Sequence, residues 1–155
     1  MRLVVAVVGK PRDRHLAAAI DDYETRAARY WPLEIAEVRE ASGRGVAPAD
    51  ARDREGTRLL ERLPAAALVL ACDERGERLT SAQFATVLSS ARQRAQDVAL
   101  VVGGAFGLTD EVRARAARAI QLAPWTLPHE LARLVLAEQL YRAGTILRGE
   151  PYHKA

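Results

Sequence analysis

Strands and helices alternate along the 155 residues, and this predicts an α/β fold: a mostly parallel sheet with helices on both faces. Three observations carry the prediction. "RLVVAVVG", "AAALVLACD" and "DVALVVGG" are continuous apolar runs, the pattern of strands buried on both sides. The stretches between them space their apolar residues as amphipathic helices do. Gly, Ser and Pro punctuate the joins. No internal repeat, low-complexity segment or linker interrupts the pattern, so residues 1–155 are expected to form one domain.

Each element has its own justification. The first run ends at Gly9, and a helix follows in which Leu16, Ala19, Ile20, Tyr23, Ala27 and Tyr30 form one stripe. "PLEIAEV" is a short, weak strand, "REASGRGVAPAD" a loop, and Ala51 to Leu63 a helix. After the second buried strand, "TSAQ" at Thr80 to Gln83 has capping-box spacing and opens a helix with the stripe Phe84, Val87, Leu88, Ala91 and Ala95. The third buried strand leads to Thr109, which can cap "DEVRARAARA", with Asp110 and Glu111 at the positive end of that helix. "AIQLA" is a short strand, "PWTLP" a stiff connector and "HELARLVLAEQLYRAGTIL" the last helix.

Composition narrows the classes. With 49% hydrophobic and 28% charged residues the chain is globular. No apolar run reaches the roughly 18 residues of a membrane helix. The apolar part of "MRLVVAVVGKPRDR" is too short for a signal peptide, so a cytoplasmic location without membrane contact is expected. Cys72 is the sole cysteine, which excludes an intrachain disulfide. His15, His129 and His153 lie far apart with no ligand spacing, so no metal is expected. Net charge is only +3, yet of 23 cationic residues all but Lys10 and Lys154 are arginine. A GC-rich genome accounts for that bias, and so does phosphate binding, because guanidinium is a bidentate fork.

In open parallel sheets, ligands bind beyond the carboxyl ends of the strands. Three segments leave such ends: "CDERG", "GGAFG" and "APWTLP". Gly103, Gly104 and Gly107 permit close backbone approach to a ligand, but they match no dinucleotide fingerprint or P-loop; a tight strand-to-helix turn needs the same glycines. In "APWTLPH", Pro124 and Pro128 remove N–H donors and leave carbonyls free to accept, while Trp125 can pack on a flat ring or in the core. Pro128 also suits a helix entrance. On the last helix, Glu138 and Arg142 are spaced i,i+4. They form a structural pair, or Arg142 reaches a phosphate.

"GGAFGL", "TLPHELARLVLAEQLYRA" and the terminal "PYHK" resemble the ribosomal RNA large-subunit methyltransferase H family, minimal members of the SPOUT superfamily. The likeness spans essentially the whole chain. It implies a C-terminal trefoil knot, a homodimer packed through the knotted region, and S-adenosyl-L-methionine as methyl donor. It also implies a substrate: N3 of a pseudouridine in helix 69 of 23S rRNA, on the assembled ribosome. Carried onto this sequence, the donor site comprises Cys72 and Asp73, Gly103 and Gly104, and the loop Ala123, Pro124, Trp125, Thr126, Leu127 and Pro128. Two departures stand out. Cys72 replaces a larger aliphatic residue, and Ala123–Pro124–Trp125 replaces serine and non-proline residues.

Methyl transfer to an imide nitrogen requires that its proton leave. His153 and His129 are the titratable candidates. Tyr152 can stack on or hydrogen-bond the base, and Arg142 can hold a phosphate. His129 also suits a plain helix start. The tail "RGEPYHKA" is expected to face substrate and to gain order when RNA binds. So small a chain has little surface for RNA, hence an expected division of labour, with one subunit holding donor and the other supplying the tail. Two other readings remain open on sequence: a related tRNA methyltransferase acting at a ribose oxygen, and a nucleotide-binding or ribosome-associated module without catalysis.

Overall fold

Apolar runs that can be covered from both sides become strands. The computed structural model describes residues 1–41 and 43–153. Its elements are β1 (Leu3–Val8), α1 (Arg14–Ala27), β2 (Leu33–Val38), α2 (Pro48–Leu60), β3 (Leu68–Arg78), α3 (Ser81–Gln93), β4 (Val98–Val102), α4 (Asp110–Arg115), β5 (Arg118–Gln121) and α5 (His129–Arg148). Every ladder is parallel, and the sheet order is β2-β1-β4-β3-β5. The expected α/β class and element order are therefore found.

The two faces follow from the period of two along a strand. Leu3, Val5, Val7, Leu70, Val98 and Leu100 face a layer holding Phe84 and Leu88 of α3 and Leu136 and Leu140 of α5, with Ala27 at the end of α1. Val4, Ala6, Val8, Val69, Ala71 and Val101 face Leu59 of α2 and Val112 of α4. Trp31 closes the first layer: it is buried, its indole N–H donates to the Leu140 carbonyl at 2.8 Å, and Arg92 lies over its ring at 4.1 Å.

Local signals set the helix ends. The Thr80–Gln83 capping box is present in both directions. Thr109 caps α4 through the Val112 N–H at 3.3 Å. Several boundaries differ from the sequence reading, two of them for clear local reasons. Helix α2 begins earlier, because Pro48 sits in its first turn, where a missing N–H costs nothing. Helix α4 stops at Arg115, because the Ala117 N–H already bonds the Val69 carbonyl at 2.9 Å as the chain enters the sheet.

A larger correction concerns "CDERG", expected as a loop after a strand. Strand β3 continues through it to Arg78. Cys72 and Glu77 both pair with Ile120, so residues 73–76 leave the ladder and return to it. The return passes so close to β5 that a Cβ on Gly76 would lie 2.6 Å from Ile120 backbone atoms. Only glycine permits that crossing. Polar bonds stitch it: Arg118 holds Glu77 at 2.6 and 2.9 Å, and Arg78 donates to Gln121 at 2.9 Å.

Helix α5, 20 residues long, packs on α1 and α3. Its Arg133 is 6% exposed and bridges two elements, bonding Glu24 of α1 at 2.7 and 3.1 Å and Glu37 of β2 at 2.9 Å. A guanidinium fork with two carboxylates satisfies its donors where one carboxylate would not. Arg133→Ala should destabilise the fold by about 3–5 kcal/mol, since two carboxylates lose their shared cation. Urea unfolding at fixed protein concentration checks this, and a loss below about 1 kcal/mol would contradict it.

Candidate active site at the carboxyl edge of the sheet

The three segments that leave strand ends meet around one cavity of about 680 Å³. The excursion of β3 contributes Cys72, Asp73 and Glu74. The loop after β4 contributes Gly103, Gly104 and Phe106. The loop after β5 contributes Ala123, Trp125, Thr126, Leu127 and Pro128, and His129 stands where α5 begins. Of the ten donor-site residues expected from sequence, Pro124 alone is not among the lining residues.

Side-chain contacts hold the loops in place. Arg113 of α4 donates to Asp73 at 2.6 Å and to Asp110 at 3.2 Å, tying the segment after β4 to β3. Thr126 donates its hydroxyl to Glu74 at 2.9 Å, and Gln121 donates to the Glu74 carbonyl at 2.7 Å, tying the β5 loop to the same excursion. Asp73 therefore lines the cavity with its carboxylate already engaged, since its other oxygen accepts the Arg75 N–H at 2.9 Å. Burial alone would raise the Asp73 pKa. The Arg75 N–H and the Arg113 guanidinium outweigh it and hold the carboxyl below its ordinary 3.8.

The glycines serve the protein's own packing as well as any ligand. A Cβ on Gly103 would lie 2.8 Å from the Gly107 backbone, and one on Gly104 would lie 2.6 Å from Oε2 of Glu55. Glu55, on α2, is 2% exposed; Oε1 accepts the Ala41 N–H at 2.9 Å, and Oε2 has no partner among the described residues. The tight-turn reading of "GGAFG" is thus borne out by the protein's own packing. Cys72 is half-buried, and burial pushes its thiol up to about 12, so it is a neutral wall residue and not a nucleophile.

The residues expected to act on substrate divide into two groups. His129 lines the cavity. Arg142 and Tyr152, with His153 after it, lie farther along α5; Arg142 follows His129 by about 20 Å of helix axis, and Glu138, which Tyr152 touches, by about 14 Å, at 1.5 Å per residue. There Arg142 bonds Oε1 of Glu138 at 3.0 and 2.6 Å, the i,i+4 pair the spacing allowed. Tyr152 donates to the same oxygen at 3.0 Å, lies 3.4 Å from the Tyr23 hydroxyl and packs on Tyr141 with ring centroids 4.5 Å apart. Arg142 stands over the Tyr152 ring at 4.9 Å. The tail as far as His153 is thus packed without RNA, against expectation, because α1 and α5 present tyrosines to it. His153 is half-buried, and its Nδ1 has no partner among the described residues. Lys154 of "PYHK" lies outside those residues. Burial, then the Tyr23 and Glu138 contacts, raise the Tyr152 pKa far above its ordinary 10.0, so it is a neutral phenol and a hydrogen-bond donor.

Sequence reasoning passed over Glu74, Phe106, Arg113 and Glu55. Glu74 sits inside the quoted "CDERG", and its carboxylate next to a strand end was the available signal. The Arg113–Asp73 and Glu55–Ala41 contacts join distant segments, and no local pattern encodes them.

The fold and the cavity define a class: a parallel α/β protein that binds a small molecule where the chain crosses itself at the carboxyl edge of the sheet. Comparison narrows the class. Residues 1–153 match the family model described as "Predicted SPOUT methyltransferase". Ribosomal RNA large subunit methyltransferase H of Gemmatimonas aurantiaca is 58% identical over 154 residues, covering 99% of this chain and 100% of the relative. The protein of the same name from Anaeromyxobacter dehalogenans (strain 2CP-C) is 48% identical with the same coverage. Among solved structures, a probable methylase family protein from Haemophilus influenzae matches with a TM-score of 0.56 at 13% identity, over 99% of this chain and 70% of that one. The tRNA (m1G37) methyltransferase from Aquifex aeolicus matches at 0.54 and 16%, over 99% and 74%; these two likenesses concern the fold alone. The chain belongs to the SPOUT methyltransferase family.

Two predictions follow from the local chemistry. The depressed Asp73 pKa contributes stability above pH 3.8 that is lost as pH falls through the folded-state value. Asp73→Asn should therefore lower the urea midpoint at pH 7, and the gap to wild type should shrink below pH 3.8. A gap that is constant with pH would contradict this. Cys72 should resist iodoacetamide at pH 7.5 in the folded protein and react on unfolding, as followed by intact mass.

Proposed function

We propose that this protein is an S-adenosyl-L-methionine-dependent rRNA methyltransferase acting at N3 of a pseudouridine in helix 69 of 23S rRNA. In this reading it works as a cytoplasmic homodimer on the assembled ribosome, and residues 1–155 form one domain with the C-terminal trefoil knot of its family. The observation that carries it is the convergence of three strand-end loops on one cavity, in a chain similar over its length to rRNA large subunit methyltransferases H.

The residues present fit the donor. The cavity lies within the roughly 300–1,000 Å³ of small-molecule sites. Its walls include the apolar Leu122 and Leu127 and the hydroxyl of Thr126, and its one guanidinium, Arg113, is paired with Asp73. The bound donor would supply a methyl group on a sulfonium. Backbone groups of Gly103, Gly104 and the 123–128 loop would hold and orient it. The Thr126–Glu74 and Arg113–Asp73 contacts keep these loops at a fixed separation, so that alignment is set before substrate arrives.

The two ends of α5 support the dimer. His129 stands at the cavity, while Arg142 stands about 20 Å along the helix and Glu138, which Tyr152 touches, about 14 Å along it. His129, Arg142, Tyr152 and His153 serve one reaction only if the tail of one subunit meets the cavity of another. Tyr152, a neutral phenol whose one donor is held by Glu138, positions the tail against α5 and offers the base its hydroxyl oxygen as an acceptor. Arg142, held by Glu138, presents its remaining face to phosphate. His153 and His129 are the groups able to accept the N3 proton.

Deletion of the gene should abolish 3-methylpseudouridine in large-subunit rRNA, read by nucleoside mass spectrometry. Wild-type protein should restore it, and His153→Ala should not. Persistence of the nucleoside in the deletion strain would refute the substrate. Mixing inactive His153→Ala with a variant that cannot bind donor should recover activity; no recovery would refute the shared site.

A further inference from the structure

Only three large apolar side chains among the described residues are exposed: Trp125 at 79%, Phe106 at 41% and Leu147 at 38%. Two of the three, Trp125 and Phe106, line the same cavity, on loops that follow β5 and β4. Exposing an indole costs free energy that burial would recover, and the chain's other tryptophan, Trp31, is buried with its N–H bonded. None of the ring–ring or ring–cation contacts found among the described residues involves Trp125 or Phe106.

We propose that Trp125, with Phe106, is the stacking platform for the target nucleobase at the mouth of the cavity. This rests on the rRNA reading above. A base that reacts must leave its own stack, and proteins replace that stack with an aromatic face. A ring four-fifths open to solvent on the cavity rim offers such a face to a group arriving from outside. It shields little of a ligand seated deeper, which argues against the donor's own ring as occupant. The neighbouring Thr126 is tied to Glu74 and Pro124 fixes its own φ, so Trp125 is carried on a braced loop.

The test compares wild type, Trp125→Leu, Trp125→Phe and Phe106→Leu as full-length proteins with purified ribosomes as substrate. Trp125→Leu should raise the KM for ribosomes about tenfold or more, the range expected for loss of one base–aromatic stack. Because the donor is read as held by backbone groups of the 123–128 loop, the calorimetric Kd for S-adenosylmethionine should match wild type, as should the thermal midpoint and the sedimentation coefficient. Trp125→Phe should restore most of the KM, and Phe106→Leu should raise it by a smaller factor. An unchanged KM in Trp125→Leu would overturn the proposal. So would a weakened donor Kd, which would place the donor's ring there, or a lighter sedimenting species, which would place a second copy there. Wild-type protein that methylates no ribosomes would refute the rRNA reading itself and this assignment with it.

Discussion

The close approach of Gly76 to the backbone of Ile120 is the constraint on which the cavity depends. Strand β3 must leave its ladder after Cys72, carry Asp73 and Glu74 outward, and return at Glu77 to pair again beside the same residue of β5. The excursion offers two carboxylates, and each takes one neighbouring loop: Asp73 holds Arg113, and Glu74 holds Thr126. Without the return at Gly76, both anchors would be free to move, and the loops after β4 and β5 would have no fixed separation. Local backbone crowding thus becomes a precise small-molecule site.

Helix α5 supplies the second constraint. Buried Arg133 fixes it against α1 and β2, and Trp31 bonds its backbone at Leu140. The helix therefore cannot bend to bring its two ends together. In the proposed reaction, this rigidity favours a partner: the donor cavity lies at one end of the helix, and the tail is held farther along it at Glu138 and Tyr141. Packing of Tyr152 on Tyr141 and Glu138 presents the tail as a formed surface, so little order remains to be gained there when RNA arrives.

Much of this was legible in the sequence, for identifiable reasons. Strands β1, β3 and β4 are buried on both faces and so read as continuous apolar runs. The Thr80–Gln83 box and the Thr109 cap lie within four residues of what they bind. The three strand-end loops were legible because a parallel sheet sends its carboxyl ends to one edge. The excursion in β3 was not, because its pairing partner lies more than forty residues away in the chain and "CDERG" has the composition of a turn. The separation of the tail from the cavity was hidden for a similar reason. Sequence sets the length of α5, but its direction across the sheet comes from contacts such as Arg133–Glu24. Two roles were open for Trp125 on sequence, in the core or against a ring; its exposure removes the first.

The most direct measurement is calorimetric titration of S-adenosylmethionine onto Gly76→Ala beside wild type, with circular dichroism to follow the fold. If the crossing builds the cavity, the variant should keep its helical signal and lose most of its donor affinity. A folded Gly76→Ala protein that binds the donor as tightly as wild type would contradict the account.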